Sequence, residues 1–475
     1  MWKMTKSQSS DDAPITYFAK RRKIYPKQVS GHFRRLRWLV MAFTLGIYYL
    51  APFLRWDRGA GAPDQAILID MPHRRAYWFV IEIWPQEVYI LTGILIFSAI
   101  ALFFVTSLFG RVWCGYLCPQ TVWTDLYMFV ERVVQGDQNA RRKLTDGPLT
   151  FTKVWKKGLT HILWMLIALC TGGAFVLYFN DAPTLVNGLM HGHISPTVAW
   201  FVAGLTFSTY LMAGYAREQV CTYMCPYARF QSAMFDRDTL IIGYDKDRGE
   251  TRAHHKKGDS WEGRGHCIDC SACVQVCPTG IDIRDGLQME CIACGLCVDA
   301  CDSVMKKVGL PTGLIRYDSE KGLAREKKVR LLRPRTYYYA ALITVVGLSL
   351  LYILLNRDLL ELHVLHDRNP LYVALSDGNV RNGYEVKILN KRNDGRTFAL
   401  STEGIDDALV EVRGAGETSI HHMPVAADSV GHYRVFLSAP PQDSAQKEVS
   451  FVLTDKIDGT KDTHQSIFIS GENHD

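Results

Sequence analysis

The chain has 475 residues, 48% hydrophobic and 21% charged, with a formal net charge of +6, and is too long for one ordinary domain. The charges avoid several long stretches, which excludes a purely cytosolic protein. Twelve of the 13 cysteines sit in four tight motifs and none follows Cys301, which excludes a disulfide-stapled secreted domain.

A basic segment, residues 1–37, carries ten Lys and Arg and leads into the first uncharged run, Trp38 to Leu54. The Lys20-Arg21-Arg22-Lys23 stretch beside a first span reads as a membrane-surface anchor, and nucleic-acid binding is not expected. No cleavable signal peptide is expected, because the apolar stretch starts only at Trp38 and is as long as a span. Further uncharged runs cover Val88 to Gly110, Gly158 to Asn180, Ala182 to Ala216 and Thr336 to Asn356. Roughly 20 apolar residues cross a bilayer as a helix. A five-helix transmembrane bundle is therefore predicted, with four spans inside residues 38–216 (about 38–54, 88–110, 158–180 and 196–216) and a fifth at 336–356.

The loops short enough to obey the positive-inside rule agree on orientation. Residues 111–157 hold eight Lys and Arg, 181–195 none, and 217–335 twenty. The N-terminus, the 111–157 loop and the 217–335 segment are thus expected in the cytoplasm of a bacterial inner membrane protein, with the tail in the periplasm. From residue 357 on, 19 acidic residues face 12 basic ones, and a long acidic domain can translocate regardless of charge.

After the second span the chain reads Cys114-Gly-Tyr-Leu-Cys118-Pro119, and after the fourth Cys221-Thr-Tyr-Met-Cys225-Pro226. Two copies of C-x3-C-P at matching places suggest a repeated two-helix unit. On an α-helix, positions i and i+4 share a face, so each pair could present two sulfurs to one ion. Four thiolates would form a soft site of the kind that selects Cu(I), zinc or an iron–sulfur cluster. Small packing residues or a disulfide between the copies are the competing readings. Cys170 in the third span reads as a buried small residue. His161, His191 and His193 are candidates for a haem or a metal entry site, but no matched pair on facing spans supports that, so loop and interface roles are expected.

The strongest chemistry lies at about residues 260–310. Cys267, Cys270, Cys273 and Cys277-Pro278 repeat as Cys291, Cys294, Cys297 and Cys301, the spacing C-x2-C-x2-C-x3-C twice. Three thiolates so spaced wrap three corners of a cubane, and the fourth of each run crosses to the other cluster. This predicts a bacterial-type two-cluster ferredoxin domain with two [4Fe-4S] clusters. One is held by Cys267, Cys270, Cys273 and Cys301, the other by Cys291, Cys294, Cys297 and Cys277. Two zinc knuckles would need independent ligand sets and do not account for the x3 step. Beyond the fifth span, residues 369–475 show short runs such as Tyr384 to Ile388 and His432 to Leu437 between Gly, Asn and Asp clusters. These predict an immunoglobulin-like β-sandwich without a cysteine pair. His421-His422-Met423 reads as surface rather than a metal site.

With these residues in view, the chain resembles the FixG/CcoG/RdxA family of membrane polyferredoxins associated with maturation of the cbb3-type cytochrome c oxidase. The resemblance extends to Tyr244 to Glu250 ahead of the clusters, Cys277 to Gln288 between them, and Gly313 to Tyr317 after them. Asp302 stands where a proline often follows the fourth cysteine. The resemblance implies reduction of Cu(II) to Cu(I) for copper carriers and oxidase assembly factors, with Cys114, Cys118, Cys221 and Cys225 as candidate copper ligands and an unknown electron donor. Two other functions fit the same residues: a general relay between the quinone pool and another redox protein, and a non-redox assembly scaffold. Two low-potential-type clusters are hard to justify as staples, which ranks the scaffold last.

Overall fold

The computed structural model describes residues 23–59, 62–255, 260–325, 330–392, 394–413, 419–442 and 444–470; Lys20, Arg21 and Arg22 of the basic run lie outside them. Among the described residues, five helices are long and apolar enough to cross a membrane, at His32–Phe53, Pro85–Phe109, Phe151–Val176, Pro196–Ala216 and Pro334–Leu355. The α-helices that matter below are α1 (His32–Leu50), α2 (Val88–Phe109), α3 (Pro119–Gln135), α4 (Phe151–Val176), α5 (Pro196–Thr209), α6 (Pro226–Met234), α7 (Leu296–Lys307) and α8 (Pro334–Leu355). The chain divides into two compact units.

The first unit comprises residues 1–49, 98–176 and 194–343. Helix α1 begins at His32, before the expected start at Trp38, because its basic first turns are not solvated. Arg34 and Arg37 are buried against Asp125 of α3, at 2.9 and 3.5 Å. Gly172 of α4 lies so close to α5 that a Cβ there would meet the Thr206 nitrogen at 2.8 Å, the small-residue contact that lets membrane helices approach. The ferredoxin portion is bracketed by an antiparallel pair, Leu240–Tyr244 with Ile315–Ser319. Ile242, Ile283, Val298, Met305, Leu314 and Ile315 are buried together there. Helix α1 is docked onto this portion at its N-terminus. The Asp299 carboxylate on α7 accepts from the Phe33 and Arg34 amides (3.2 and 2.8 Å), an acceptor placed where a helix leaves its first N–H groups without partners. Gly31 is required beside it, since a Cβ there would fall 2.2 Å from the Asp299 carboxyl carbon.

The second unit comprises residues 50–97, 177–193 and 344–475. Its sandwich has one sheet ordered Leu409–Arg413, Ser429–Ala439, Val380–Asn390, Leu360–His366, and another ordered Met423–Val425, Arg396–Glu403, Gln446–Asp455, Lys461–Ile469. The inward positions alternate along each strand, and Tyr384, Val386, Ile388, Phe398, Phe451, Leu453 and Phe468 form the core. The first strand starts at Leu360, ahead of the expected boundary at residue 369, because the alternating Leu360 to His366 run follows the last span almost directly. A three-stranded meander, Ile67–Asp70, Arg75–Trp78 and Ile81–Ile83, was not foreseen from the sequence. Its strands are only three or four residues long, too short for a period-2 pattern to register.

Candidate functional site

The eight ferredoxin thiols are gathered into two groups. Cys267, Cys270, Cys273 and Cys301 line one recess, together with Arg284, Met305 and Leu314. Cys277, Cys291, Cys294 and Cys297 line a second, with Cys273 at its edge. The backbone around them repeats: Asp269 and Ser271 in the first run, and Ala293 and Gly295 in the second, all have φ between 49° and 75°. Left-handed residues at alternate positions are a feature of the nests that hold iron–sulfur groups, and here the Val274, Ala293 and Leu296 amides act on the Cys273, Cys291 and Cys294 thiols. Gly295 has a second reason to lack a side chain, since a Cβ there would meet the Phe33 ring at 2.5 Å. Burial pushes Cys273, Cys291 and Cys301 up to about 12, so these thiols are neutral until a cation displaces their protons. Arg284, bonded to Asp282 and Asp269, opposes that rise at Cys273. Thiol number, grouping and nests together fit two [4Fe-4S] groups.

The C-x3-C-P motifs differ from the expected α-helical face. Trp113–Leu117 and Val220–Met224 are π-helical turns, and Cys118 and Cys225 leave them in extended conformation to become the N-caps of α3 and α6. The proline after each cysteine occupies N1, where a missing N–H costs nothing. The backbone amides of Thr121 and Gln120 oppose the rise that burial imposes on Cys118. Wider winding and the break before the helix change where each sulfur points, so the i, i+4 argument does not describe this site.

The two motifs nevertheless lie near enough for charge on one to act on the other. Burial pushes Cys114 up to about 12 and Cys221 up to about 11, and charge on the neighbouring cysteines adds to both. For Cys114 those neighbours are Cys118, Cys221 and Cys225, so residues more than a hundred positions apart share one electrostatic environment. Among the described residues no three His, Cys, Asp or Glu side chains close on a single ion, and this holds for the ferredoxin thiols as well. The Cys114 thiol donates to Oε1 of the buried Gln231 on α6 (3.2 Å), and the Thr121 hydroxyl donates to the Cys114 carbonyl (2.6 Å).

This thiol face abuts the second recess. A Cβ on Gly115 would fall 2.8 Å from the Ile292 carbonyl oxygen, and the Tyr116 hydroxyl donates to the Cys294 carbonyl at 3.3 Å. Cys114 packs against the cluster of Val276, Ile292 and Cys294. Arg111 pins the junction, its guanidinium donating to the Met289 and Cys291 carbonyls and to Ala228 and Ser232 on α6. A further recess joins Cys221 to Pro278, Thr279 and Ile292, with Arg37 in its wall. Sequence reasoning attached no role to Arg111, Arg37, Asp125 or Gln231. Arg111 had a usable signal in its place three residues before Cys114; the others had none.

The remaining candidates are dispersed. Cys170 is exposed on α4, a correction to its expected burial: it falls off the helix face that Trp164, Ala168 and Gly172 bury. His161 hydrogen-bonds through Nδ1 to the Tyr210 hydroxyl at 3.0 Å. His191 bonds the Asn187 carbonyl at the end of a short helix, and His193 is exposed after it. Met423 is fully buried in the sandwich, while His421 and His422 are exposed in a turn.

Two thiol-lined recesses in nests, joined to apolar helices of spanning length, define a membrane iron–sulfur protein of the electron-transport class. Family models agree: residues 216–320 match a 4Fe-4S dicluster domain, residues 91–134 a 4Fe-4S binding domain, and residues 350–471 an IG-like fold at the C-terminal of FixG. The chain is 46% identical to the nitrogen fixation protein FixG of Rhizobium meliloti, over 95% of this chain and 93% of that one. It is 45% identical to protein RdxB of Cereibacter sphaeroides, over 97% and 98% of the two chains. With protein RdxA of the same organism it shares 48% identity, over 89% and 90%. The chain belongs to the FixG/RdxA family.

Proposed function

We propose that this protein is a membrane electron carrier that reduces Cu(II) to Cu(I) in support of cbb3-type oxidase assembly. Cys267, Cys270, Cys273 and Cys301 would hold one [4Fe-4S] group, and Cys277, Cys291, Cys294 and Cys297 the other; each group, when bound, supplies a one-electron store. The observation that supports the reading is the seating of Gly115 and Tyr116 on the Ile292 to Cys294 loop, which sets the turn carrying Cys114 and Cys118 against the loop of Cys291 and Cys294. Cys114, Cys118, Cys221 and Cys225 then receive copper as substrate: soft thiolates favour the Cu(I) state, and one electron converts Cu(II) to it. Arg111 keeps the two loops in register, and Gln231 orients the Cys114 thiol. Cu(I) passes to a copper carrier.

A second reading has one observation in its favour. The match to a 4Fe-4S binding domain covers residues 91–134, where Cys114 and Cys118 are the only cysteines. Two thiols do not complete a cubane, but four from both motifs would. Iron analysis of anaerobically purified protein separates the readings: about eight iron atoms per chain for two clusters and about twelve for three. A value near twelve that falls by about four in the Cys114→Ser/Cys221→Ser chain would replace copper by a third cluster.

We also infer a cytoplasmic N-terminus and ferredoxin portion and a periplasmic sandwich, from the basic loops and the odd number of spans. Reporter fusions at residue 250 and after Asp475 should report opposite compartments; the same compartment for both would refute the orientation.

A further inference from the structure

The first unit contains a cavity of about 380 Å³ that the thiol chemistry does not use, lined by Glu131, Lys157, His161, Trp164, Tyr215 and Arg217 among others. It lies at the start of α4 and beside the π-helical last turns of the fourth span, Tyr210–Ala216, where spans meet the headgroup region. Exposed Trp155 and Tyr215 mark that level, as aromatic residues do at membrane interfaces. One wall is aromatic. Tyr215 stacks on His161 with ring centroids 6.1 Å apart at 15°, and Trp164 meets His161 edge-on at 5.2 Å. Beside the rings, with Arg217 over Trp164 at 5.2 Å, the lining is ionic and internally matched: Glu131 accepts from Arg217 at 2.7 Å and from Arg141 at 3.1 Å. Arg217 also donates to the Gly214 carbonyl, and Lys157 to the Thr145 hydroxyl.

These walls select a ligand. Of the cations lining the cavity, Arg217 is committed to Glu131 and the Gly214 carbonyl and Lys157 to the Thr145 hydroxyl, with Lys23 beside them, which makes a poorer phosphate site than a basic lipid-binding pocket with several free Lys and Arg. A flat neutral ring with hydrogen-bonding oxygens at its edges matches a stacked His/Tyr/Trp wall beside polar side chains. An apolar tail on that ring would lie in the bilayer. We propose that this cavity binds the headgroup of a membrane quinone. Arg217 and Glu218 line both this cavity and the recess that holds Cys221, Pro278 and Thr279, so a bound ring sits one layer of residues from the thiol face. The inference rests on the electron-transfer reading and supplies its donor class. Oxidation of a quinol to a quinone breaks its two O–H bonds, sending two protons to water at the membrane surface and two electrons one at a time to the two one-electron carriers that the eight ferredoxin cysteines would hold.

The test uses full-length protein in phosphatidylcholine nanodiscs and a photoreactive benzoquinone with a decyl tail. Saturable labelling confined to peptides that line the cavity, from residues 23–24, 131–135, 157–164 and 214–218, is expected. Apparent affinity should fall at least tenfold in His161→Leu and in Tyr215→Leu, the latter a half-exposed position whose change leaves the fold intact as judged by iron content. Labelling that is not saturable, that maps elsewhere, or that both variants leave unchanged would overturn the proposal; so would displacement by phosphatidylglycerol but not by unlabelled decylubiquinone, the result for a lipid site. Failure here is distinguishable from failure of the copper reading, because Cu(II) reduction driven by dithionite needs no quinone.

Discussion

A Cys294→Ser chain purified without oxygen will carry about four fewer iron atoms than the parent and lose the matching share of visible absorbance. The buried sulfur lies in the second recess, with the Tyr116 hydroxyl bonded to its own carbonyl. Serine at that place is a hard, high-pKa oxygen that binds iron poorly and leaves three thiols for four corners. The first recess, built from Cys267, Cys270, Cys273 and Cys301, keeps its full set, so the loss should stop near half. Cys270→Ser should remove the complementary half. Unchanged iron in both variants, or zinc in place of iron in the parent, would refute the ligand assignment.

Asp125→Leu will destabilise the first unit by about 3–5 kcal/mol, the cost of leaving buried cations without their counter-charge. Asp125 is buried on α3, its carboxylate accepting two hydrogen bonds from Arg34 (3.0 and 2.9 Å) and lying 3.5 Å from Arg37 and 3.8 Å from Arg132. Burial works against its ionisation, yet Arg37 and Arg34 hold the carboxyl below the ordinary aspartate range. Its stabilising contribution is therefore fully present above that range and is lost as the pH falls through the lowered value. Thermal unfolding of purified protein in detergent at neutral pH measures the effect. A variant as stable as the parent would show that the two arginines find other partners or water.

Most of the architecture was legible because its signals are chemical rather than conformational. Charge avoidance over about 20 residues has few explanations outside a bilayer, and doubled C-x2-C-x2-C-x3-C spacing has few outside iron–sulfur ligation. The junction between the thiol face and the ferredoxin was not legible. It depends on the backbone carbonyls of Met289, Cys291, Ile292 and Cys294, and carbonyls leave no trace in residue identity. The π-helical winding of C-x3-C-P was hidden for a related reason, since the spacing of two cysteines is the same in an α-helical and a π-helical turn. Arg34 and Arg37 misled the first boundary: three arginines before Trp38 read as a solvated flank, whereas two of them are buried on an aspartate nearly ninety positions away.

The most direct test of the central claim is single-turnover reduction of Cu(II) by protein that has first been reduced with dithionite and freed of excess reductant. Cu(I) is trapped with a chromogenic chelator, and the parent is compared with Cys114→Ser/Cys221→Ser. The parent should yield Cu(I) in proportion to the electrons it stores, and the double variant, with its ferredoxin absorbance intact, should yield almost none. Equal Cu(I) from both chains would place copper chemistry away from the four-thiol face.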